Sequence, residues 1–455
     1  MKQTFCCPSG QHRPSATGWP RSGTGGKLFL FTTAVLLLAS TAFGDPAAAQ
    51  DFVASRAEPA EPATPGSVLS LTEALGLASG NQPSALAFSR EAAASESAAR
   101  AAQVLPDPQI SAGIQNYPVT GRIAFDPRAD DMTMYTIGFM REQVRRSRRE
   151  AEAQRLTAEA LVSQSQASLQ ERRIRRDVML AWINAVEANA KHRLLTRIID
   201  DLVAGQRVME AGVSTGASSP ALALQAQAEV ALAKAQQEEA RGQEGRARAE
   251  LSRWIGAAAN RPVPQALPLI APPGDGAAPL ARHPLVGLAR AQERAAERAI
   301  DVSRQDRKPN ISWSVMYGYR PDYGDMVSGT VSIPLQINRS RAQNIRIQEA
   351  SARADAARLR AQDAERDMSA AFAAALADYR SAAAQLSVID GEAVPSLEAS
   401  FKAAEARYAG GQGQLELPLA IVRRYVETFI RSIEQQGRRA RAAAELIYLA
   451  QDIQQ

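Results

Sequence analysis

Two periodicities divide this chain. Between Arg307 and Leu335 the apolar positions alternate: Ile311, Trp313, Val315, Tyr317 and Tyr319 share one parity, against Ser312, Ser314 and Gly318. Val327, Val331 and Ile333 alternate in the same way with Ser328, Thr330 and Ser332. A period of two predicts strands that bury one face, here over about 310–319 and 326–335. A second such pair lies over about 109–117 and 132–140. There Ile110, Ala112 and Ile114 alternate with Ser111, Gly113 and Gln115, and Tyr135, Ile137 and Phe139 alternate with Thr136 and Gly138. Each strand is roughly 9–11 residues, the length that crosses an outer membrane when tilted.

The rest follows three- and four-residue spacing. Ile174, Val178, Trp182, Ala185, Leu195, Ile198 and Leu202 make one stripe; Met368, Phe372, Tyr379, Leu386, Ile389, Leu397, Phe401 and Tyr408 make another. Val144 to Ala211 has no Pro and only Gly205 as a breaker, so a single helix of about 100 Å is predicted at 1.5 Å per residue. "GVSTGASSP" interrupts it, and Ala221 to Trp254 returns over half that distance. Leu71 to Val104 can supply the other half, stacked end to end. The second stripe behaves alike, with a break at "GGQGQLELP", a shorter return, and Pro395 expected to kink the descending helix. These stripes read as coiled-coil core, and their Ala-rich faces suit a wall of closely packed helices.

The likeness of the two halves is a duplication. Pro83 pairs with Pro284, and Pro108 with Pro309; Gln109-Ile110-Ser111 matches Asn310-Ile311-Ser312. "QVRRSR" from Gln143 matches "QINRSR" from Gln336, Trp182 pairs with Phe372, and "MEAG" ending at Gly212 pairs with "YAGG" ending at Gly411. The order is kept while the offset drifts, as loop insertions after a tandem duplication would produce. The predicted organisation is a first repeat over 67–260, a Pro/Gly-rich linker over 261–279 and a second repeat over 280–455.

Composition adds a compartment. Lys2, Arg13, Arg21 and Lys27 precede the apolar run "LFLFTTAVLLLAS", which ends near Ala47-Ala48-Ala49. That is the pattern of a secretory signal over 1–49, followed by a linker over 50–66. The run is too short to span a bilayer as a helix. Without this leader the formal charge of +5 falls to +2, which recommends no nucleic-acid partner. Both cysteines, Cys6 and Cys7, lie ahead of the apolar run, so the mature chain is expected to have no disulfide, thiolate nucleophile or lipidated cysteine. No later stretch is apolar enough for a transmembrane helix, so strands must do any spanning.

Four strands cannot close a barrel, for which about eight are needed. An open sheet edge in lipid would leave backbone groups unsatisfied at several kcal/mol each. The strands must then be shared among chains: two would give a filled eight-stranded barrel, three an open twelve-stranded one.

With "LSLTEALGLASGNQPSALA", "LPDPQIS", "MTMYTIGFMREQVRRSR" and "RYAGGQGQLELPLA", the chain resembles the TolC-type outer-membrane efflux factors over nearly all its mature length. The "MTM…GFMREQV" stretch looks most like their heavy-metal (CzcC/CusC-like) branch, which usually has Pro where Arg141 stands. The resemblance implies a mainly α fold: long coiled-coil hairpins plus four strands per chain, assembled as a homotrimer into an α-helical and β barrel. It implies an outer-membrane exit duct extending into the periplasm of a Gram-negative bacterium, conducting substrate passively. The implied partners are a periplasmic adaptor, an inner-membrane RND-type pump and outer-membrane lipid. A duct for drugs or type I protein secretion is an alternative, and a secreted coiled-coil scaffold without a pore is one of another class.

No catalytic cluster emerges, and no enzyme activity or cofactor is expected. His192 and His283 are far apart in sequence, and a surface or capping role suits His283 better than metal ligation. Met132, Met134 and Met140 fit the strand pattern, with packing preferred there over metal binding. "RRSRR" sits where the second strand becomes the long helix, so Arg145, Arg146 and Arg148, with Arg339 and Arg341 in the second copy, are expected at inner-leaflet headgroups. A merely solvated helix start is the alternative. By resemblance the reversals over 212–220 and 410–418 form the periplasmic tip, with Gly212, Tyr408 and Gly411 at adaptor-docking positions. Glu416 is the one acid of the second reversal and a candidate pore constriction, the alternative being that it points outward.

Overall fold

The computed structural model describes residues 67–79, 82–216, 218–272, 282–409 and 416–450; within these, the side chains of 405, 407–409 and 416–420 are not described. The elements run α1 (Leu71–Ala78), α2 (Pro83–Ala102), β1 (Gln109–Gln115), β2 (Met134–Gln143), α3 (Arg146–Thr215) and α4 (Pro220–Ile255). The second half runs α5 (Pro284–Gln305), β3 (Ile311–Tyr319), β4 (Met326–Ser332), α6 (Gln343–Val388), α7 (Val394–Ala409) and α8 (Glu416–Leu449). The order is helix, hairpin, long helix and return, twice over. The signal over 1–49 and the linker over 50–66 lie outside the described residues.

Helix α3 spans 70 residues without interruption, about 105 Å at 1.5 Å per residue. No single partner covers it. Near the strands it packs on α2 and α5; farther away it packs on α4 and α8. The shorter helices meet end to end, as the lengths predict. Gln82, just before α2, donates from Nε2 to the carbonyl of Trp254 near the end of α4, at 3.0 Å. Apolar packing is gathered near that joint: Trp182, Val178, Ile183, Val186, Leu251 and Leu69 are buried together. Trp182 also donates its indole N–H to the Leu69 carbonyl at 3.0 Å, so its one polar atom is satisfied inside the core.

The second long helix is broken. Between α6 and α7, Ile389–Ala393 form a π turn, and the Val394 N–H bonds the carbonyl of Ile389. Pro395 explains it, because proline has no N–H and its ring would strike the carbonyl four residues back. One wide turn absorbs that clash while the helix continues, so the expected kink takes the form of a π bulge.

The four strands form a single antiparallel sheet in the order β1-β2-β3-β4. The hairpins are thus side by side, joined through β2 and β3 from Tyr135↔Tyr319 to Gln143↔Ile311. β2 begins two residues later than the alternation predicts and runs three further. Its extension, Arg141 to Gln143, is apolar on neither parity and is held by pairing with β3. β4 ends at Ser332 rather than near Leu335.

Candidate functional site

Cross-strand pairing assigns every strand residue to a face, since directly opposed residues point the same way. Ile110, Phe139 and Val315 share one face, as do Ile137, Tyr317 and Val327. With Ile114, Trp313 and Val331 they make that side of the sheet apolar. The other side carries only Ser, Thr, Gln, Glu, Gly and Met within the paired strands.

The apolar side is exposed on all four strands, and on β3 it is the more exposed of the two; β1 and β4 are exposed on both faces. Ile110 is 75% exposed, Val327 72% and Ile137 55%. On β3, Ser312, Ser314 and Met316 are half-buried and Gly318 is buried, while their apolar neighbours in sequence are exposed. In water this arrangement is inverted, since contiguous exposed apolar area is unfavourable and marks an interaction or membrane surface. β2 and β3, of 10 and 9 residues, have the length of tilted membrane strands. Among the described residues the outer edges of β1 and β4 pair with no strand. Among the same residues no helix is long and apolar enough to cross a membrane.

Below the sheet, the arginine cluster holds helix ends. Arg145 donates to the carbonyls of Gln305 and Lys308, the latter at 2.8 Å. Arg148 pairs with Asp306 at 2.7 Å, and Arg149 donates to the carbonyl of Gln103. Those acceptors lie at the C-terminal ends of α2 and α5, where carbonyls lack helical partners and the helix dipole is negative. Arg146, 86% exposed, pairs only loosely with its neighbour Glu150. Arg339 and Arg341 are exposed. The five arginines therefore separate: two are engaged with helix ends and three are exposed.

At the far end, α3 continues through Gly212 to Thr215 and closes on Gly216 in the left-handed region, φ 74°. The N–H of Ser218 reaches back to the Gly212 carbonyl at 3.1 Å, completing a helix-ending motif that needs a residue free of Cβ strain at Gly216. Gly212 is constrained differently. A Cβ there would meet the Ser218 hydroxyl at 2.5 Å. Ser219 then caps α4, accepting from the Leu222 N–H at 3.3 Å, with Pro220 in the first turn. In the second reversal, Gly411 lies outside the described residues. Tyr408 falls in the last turn of α7 and Glu416 opens α8, in both cases as backbone only.

Between the two ends polar contacts supplement the apolar packing of the helices. Glu187 on α3 is buried, pairs with Lys191 at 3.0 Å and with Arg441 on α8. Lys191 also reaches Glu434 of α8 at 3.1 Å. His192 contacts Glu244 of α4 at 2.9 Å, and Arg248 bonds the same carboxylate at 2.9 Å. Burial raises the Glu244 pKa, but the bonds from His192, Arg248 and Asn189 outweigh it and hold the carboxyl below its usual range. Among the described residues no group of three or more His, Cys, Asp and Glu could hold a metal ion.

The fold recurs in known proteins. Residues 278–447 match the family described as outer membrane efflux protein. No curated protein sequence matches the chain. Among solved structures, a membrane protein from Pseudomonas aeruginosa is similar with TM-score 0.71 at 19% identity, over 84% of this chain and 91% of that one. CusC, whose structures concern folding and transmembrane channel formation, is similar with TM-score 0.73 at 16% identity, over 85% and 93%. The open-state MtrE outer membrane channel of Neisseria gonorrhoeae gives 0.68 at 16%, over 86% and 95%. The fold of this chain is the one these structures share. The likeness is spread across several such channels and singles out no branch, so the expected kinship with the heavy-metal branch stays a reading of the sequence.

Proposed function

We propose that this protein is the outer-membrane exit duct of a tripartite efflux system, conducting substrate passively from a periplasmic adaptor and an inner-membrane RND-type pump to the outside. One observation carries the reading: a four-stranded sheet with its apolar face exposed and two unpaired edges. Such a sheet is stable in lipid only if its edges are joined to other copies, because unpaired backbone groups find no water there. Three copies close a twelve-stranded barrel with an open lumen, the apolar face toward lipid. Arg146, Arg339 and Arg341 then face the inner-leaflet phosphates, while Arg145 and Arg148 fasten helix ends behind them. Gly212, Tyr408 and Gly411 form the adaptor-docking tip, and Glu416 contributes three carboxylates to a constriction there. Heavy-metal cations are the substrate class we assign, on the resemblance of "MTM…GFMREQV" to the heavy-metal branch.

Native mass spectrometry in detergent should find a trimer, and planar bilayers should show ion conduction by it. A conducting monomer would overturn shared closure. Protein released from membranes by a high-salt wash, without detergent, would favour a coiled-coil scaffold instead. In the conducting trimer, Glu416→Gln should lower cation selectivity and weaken block by multivalent cations; unchanged selectivity and block would remove Glu416 from the constriction.

A further inference from the structure

The outward face of the sheet is apolar with one interruption. Among the paired strand residues of that face, Arg141 is the only one that carries a charge. It follows Phe139 on the same face of β2 and is the last outward position but one, before the strand ends at Gln143. Directly opposite it on β3 is Trp313, whose ring meets Phe139 with centroids 5.6 Å apart. Val331 of β4 continues the rung. The guanidinium thus stands at the lower rim of the apolar face, beside an aromatic pair.

Its condition differs from that of the arginines that follow it. Arg145, Arg148 and Arg149 are held by carbonyls or by Asp306, and Arg146 pairs with Glu150 at the surface. Arg141 is half-buried and its Nε is enclosed, yet among the described residues no acceptor meets that N–H. Among the same residues no ion pair or hydrogen bond holds the rest of the guanidinium. With Nε enclosed, the head is kept against the sheet rather than extended into water. On a lipid-facing strand an arginine is unfavourable at the bilayer midplane and tolerated near the interface, where phosphates are within reach.

The charge around it selects the headgroup. Arg145, Arg146, Arg148, Arg149, Arg307 and Lys308 outnumber Glu142, Glu150 and Asp306 at the foot of the sheet. That surplus attracts a net-negative headgroup and repels the ammonium of a zwitterionic one. A guanidinium presents its N–H donors as a fork that fits phosphate oxygens. On the same face, Ile137, Phe139 and Trp313 offer apolar surface for acyl chains.

Resting on the duct reading, we propose that Arg141, flanked by Trp313, is a binding site for the phosphate of a net-negative phospholipid of the inner leaflet. It is distinct from the diffuse headgroup contact of the exposed arginines, because it holds one lipid per protomer in a fixed place. A trimer would carry three such sites on its outer wall.

The test uses the full chain purified in detergent as an oligomer. Phosphatidylglycerol or phosphatidylethanolamine with identical acyl chains is added, and bound lipid is counted by native mass spectrometry. Wild-type protein should retain one phosphatidylglycerol per protomer and hold phosphatidylethanolamine at least fivefold more weakly. Arg141→Gln should lower phosphatidylglycerol retention at least fivefold. Arg141→Lys, which keeps the charge without the fork, should lower it by less. Arg122→Gln, in the loop between β1 and β2 at the opposite end of the sheet, should retain lipid like wild type. Excess inorganic phosphate should leave the lipid bound, since a free anion has no acyl chains to place. Undiminished retention by Arg141→Gln, equal retention of the two lipids by wild type, an equal loss in Arg122→Gln, or displacement by inorganic phosphate would each overturn the site. Should Arg141→Gln yield no oligomer, Arg141→Lys decides, and undiminished retention there overturns the site. A conducting wild-type trimer without the lipid preference defeats this inference alone. Absence of conduction defeats the duct reading beneath it.

Discussion

The two repeats solve one problem with different residues. In each, a short helix begins where another short helix ends, and the residue just before the new helix bridges the joint. In the first repeat Gln82 donates from Nε2 to the Trp254 carbonyl at 3.0 Å. In the second, His283 stands in the matching place and its Nε2 lies 3.0 Å from the Tyr448 carbonyl. His283 Nδ1 accepts from the Leu285 N–H at 3.1 Å, capping α5. That assigns the proton to Nε2 and makes the neutral ring the fitting form. Its ring also meets Tyr448 edge-on, with centroids 5.1 Å apart. Amide and imidazole serve equally as bridges, but only imidazole titrates. His283 is buried beside Arg172 and Arg173, and burial followed by the Arg172 charge lowers its pKa to about 4. The same joint is therefore indifferent to acid in one repeat and sensitive to it in the other.

The largest expected difference between the repeats lies in their cores. Trp182 is fully buried, whereas its counterpart Phe372 is half-buried at the edge of a smaller cluster. Trp182→Ala should cost about 3–5 kcal/mol, and Phe372→Ala roughly half as much, read from denaturation of the detergent-solubilised protein. Equal losses would show the two cores to be equivalent.

Next comes the acid dependence. A histidine whose folded pKa is depressed contributes stability above its unfolded value of 6.5, and that contribution is lost as pH falls toward about 4. The lost part is at most about 3 kcal/mol, from 1.36 kcal/mol per pKa unit. His283→Gln, which installs the first repeat's solution, should remove this component of the slope between pH 7.5 and 4.5. Parallel wild-type and variant curves would refute the assignment.

Smaller effects should appear in the returning helices. Aligning the buried Leu251 with Leu446 brings Gly242 of α4 opposite Gly437 of α8. A Cβ at Gly437 would meet Glu187 Oε2 at 2.0 Å, while one at Gly242 would meet nothing within 4 Å. Gly437→Ala should then destabilise by about 1–3 kcal/mol through displacement of the Glu187–Arg441 pair. Gly242→Ala should stabilise by about 0.5–1 kcal/mol, because it removes a helix-interior glycine without crowding anything. Thermal shifts of the same sign at both positions would count against the difference in packing.

Much of this architecture is legible along the chain. The alternation at Ile311–Tyr319 and Gln109–Gln115, the unbroken run after Val144 and the repeated Pro, Trp/Phe and Gly positions each lie within local sequence. Such signals survive because side-chain direction in strands and helices repeats every two or 3.6 residues. The break near Pro395 was foreseeable for a local reason too, though not its π-turn form. "RRSRR" was legible only as charge. That Arg145 and Arg148 hold the end of α5 depends on residues some 160 positions away, and nothing in the run distinguishes them from Arg146.

By itself, then, the sequence determined the kind and order of the elements, their approximate extents and the apolar parity of each strand, all set by residues a few positions apart. Only the tertiary structure decided that β2 pairs with β3, and so that the two hairpins join in one four-stranded sheet. It also decided that Gln82 and His283 close equivalent joints, and that the apolar side of the sheet stays exposed. The physical reason is range. These contacts join residues 150 to 200 positions apart, whose meeting depends on how whole helices stack and which strand edges find each other.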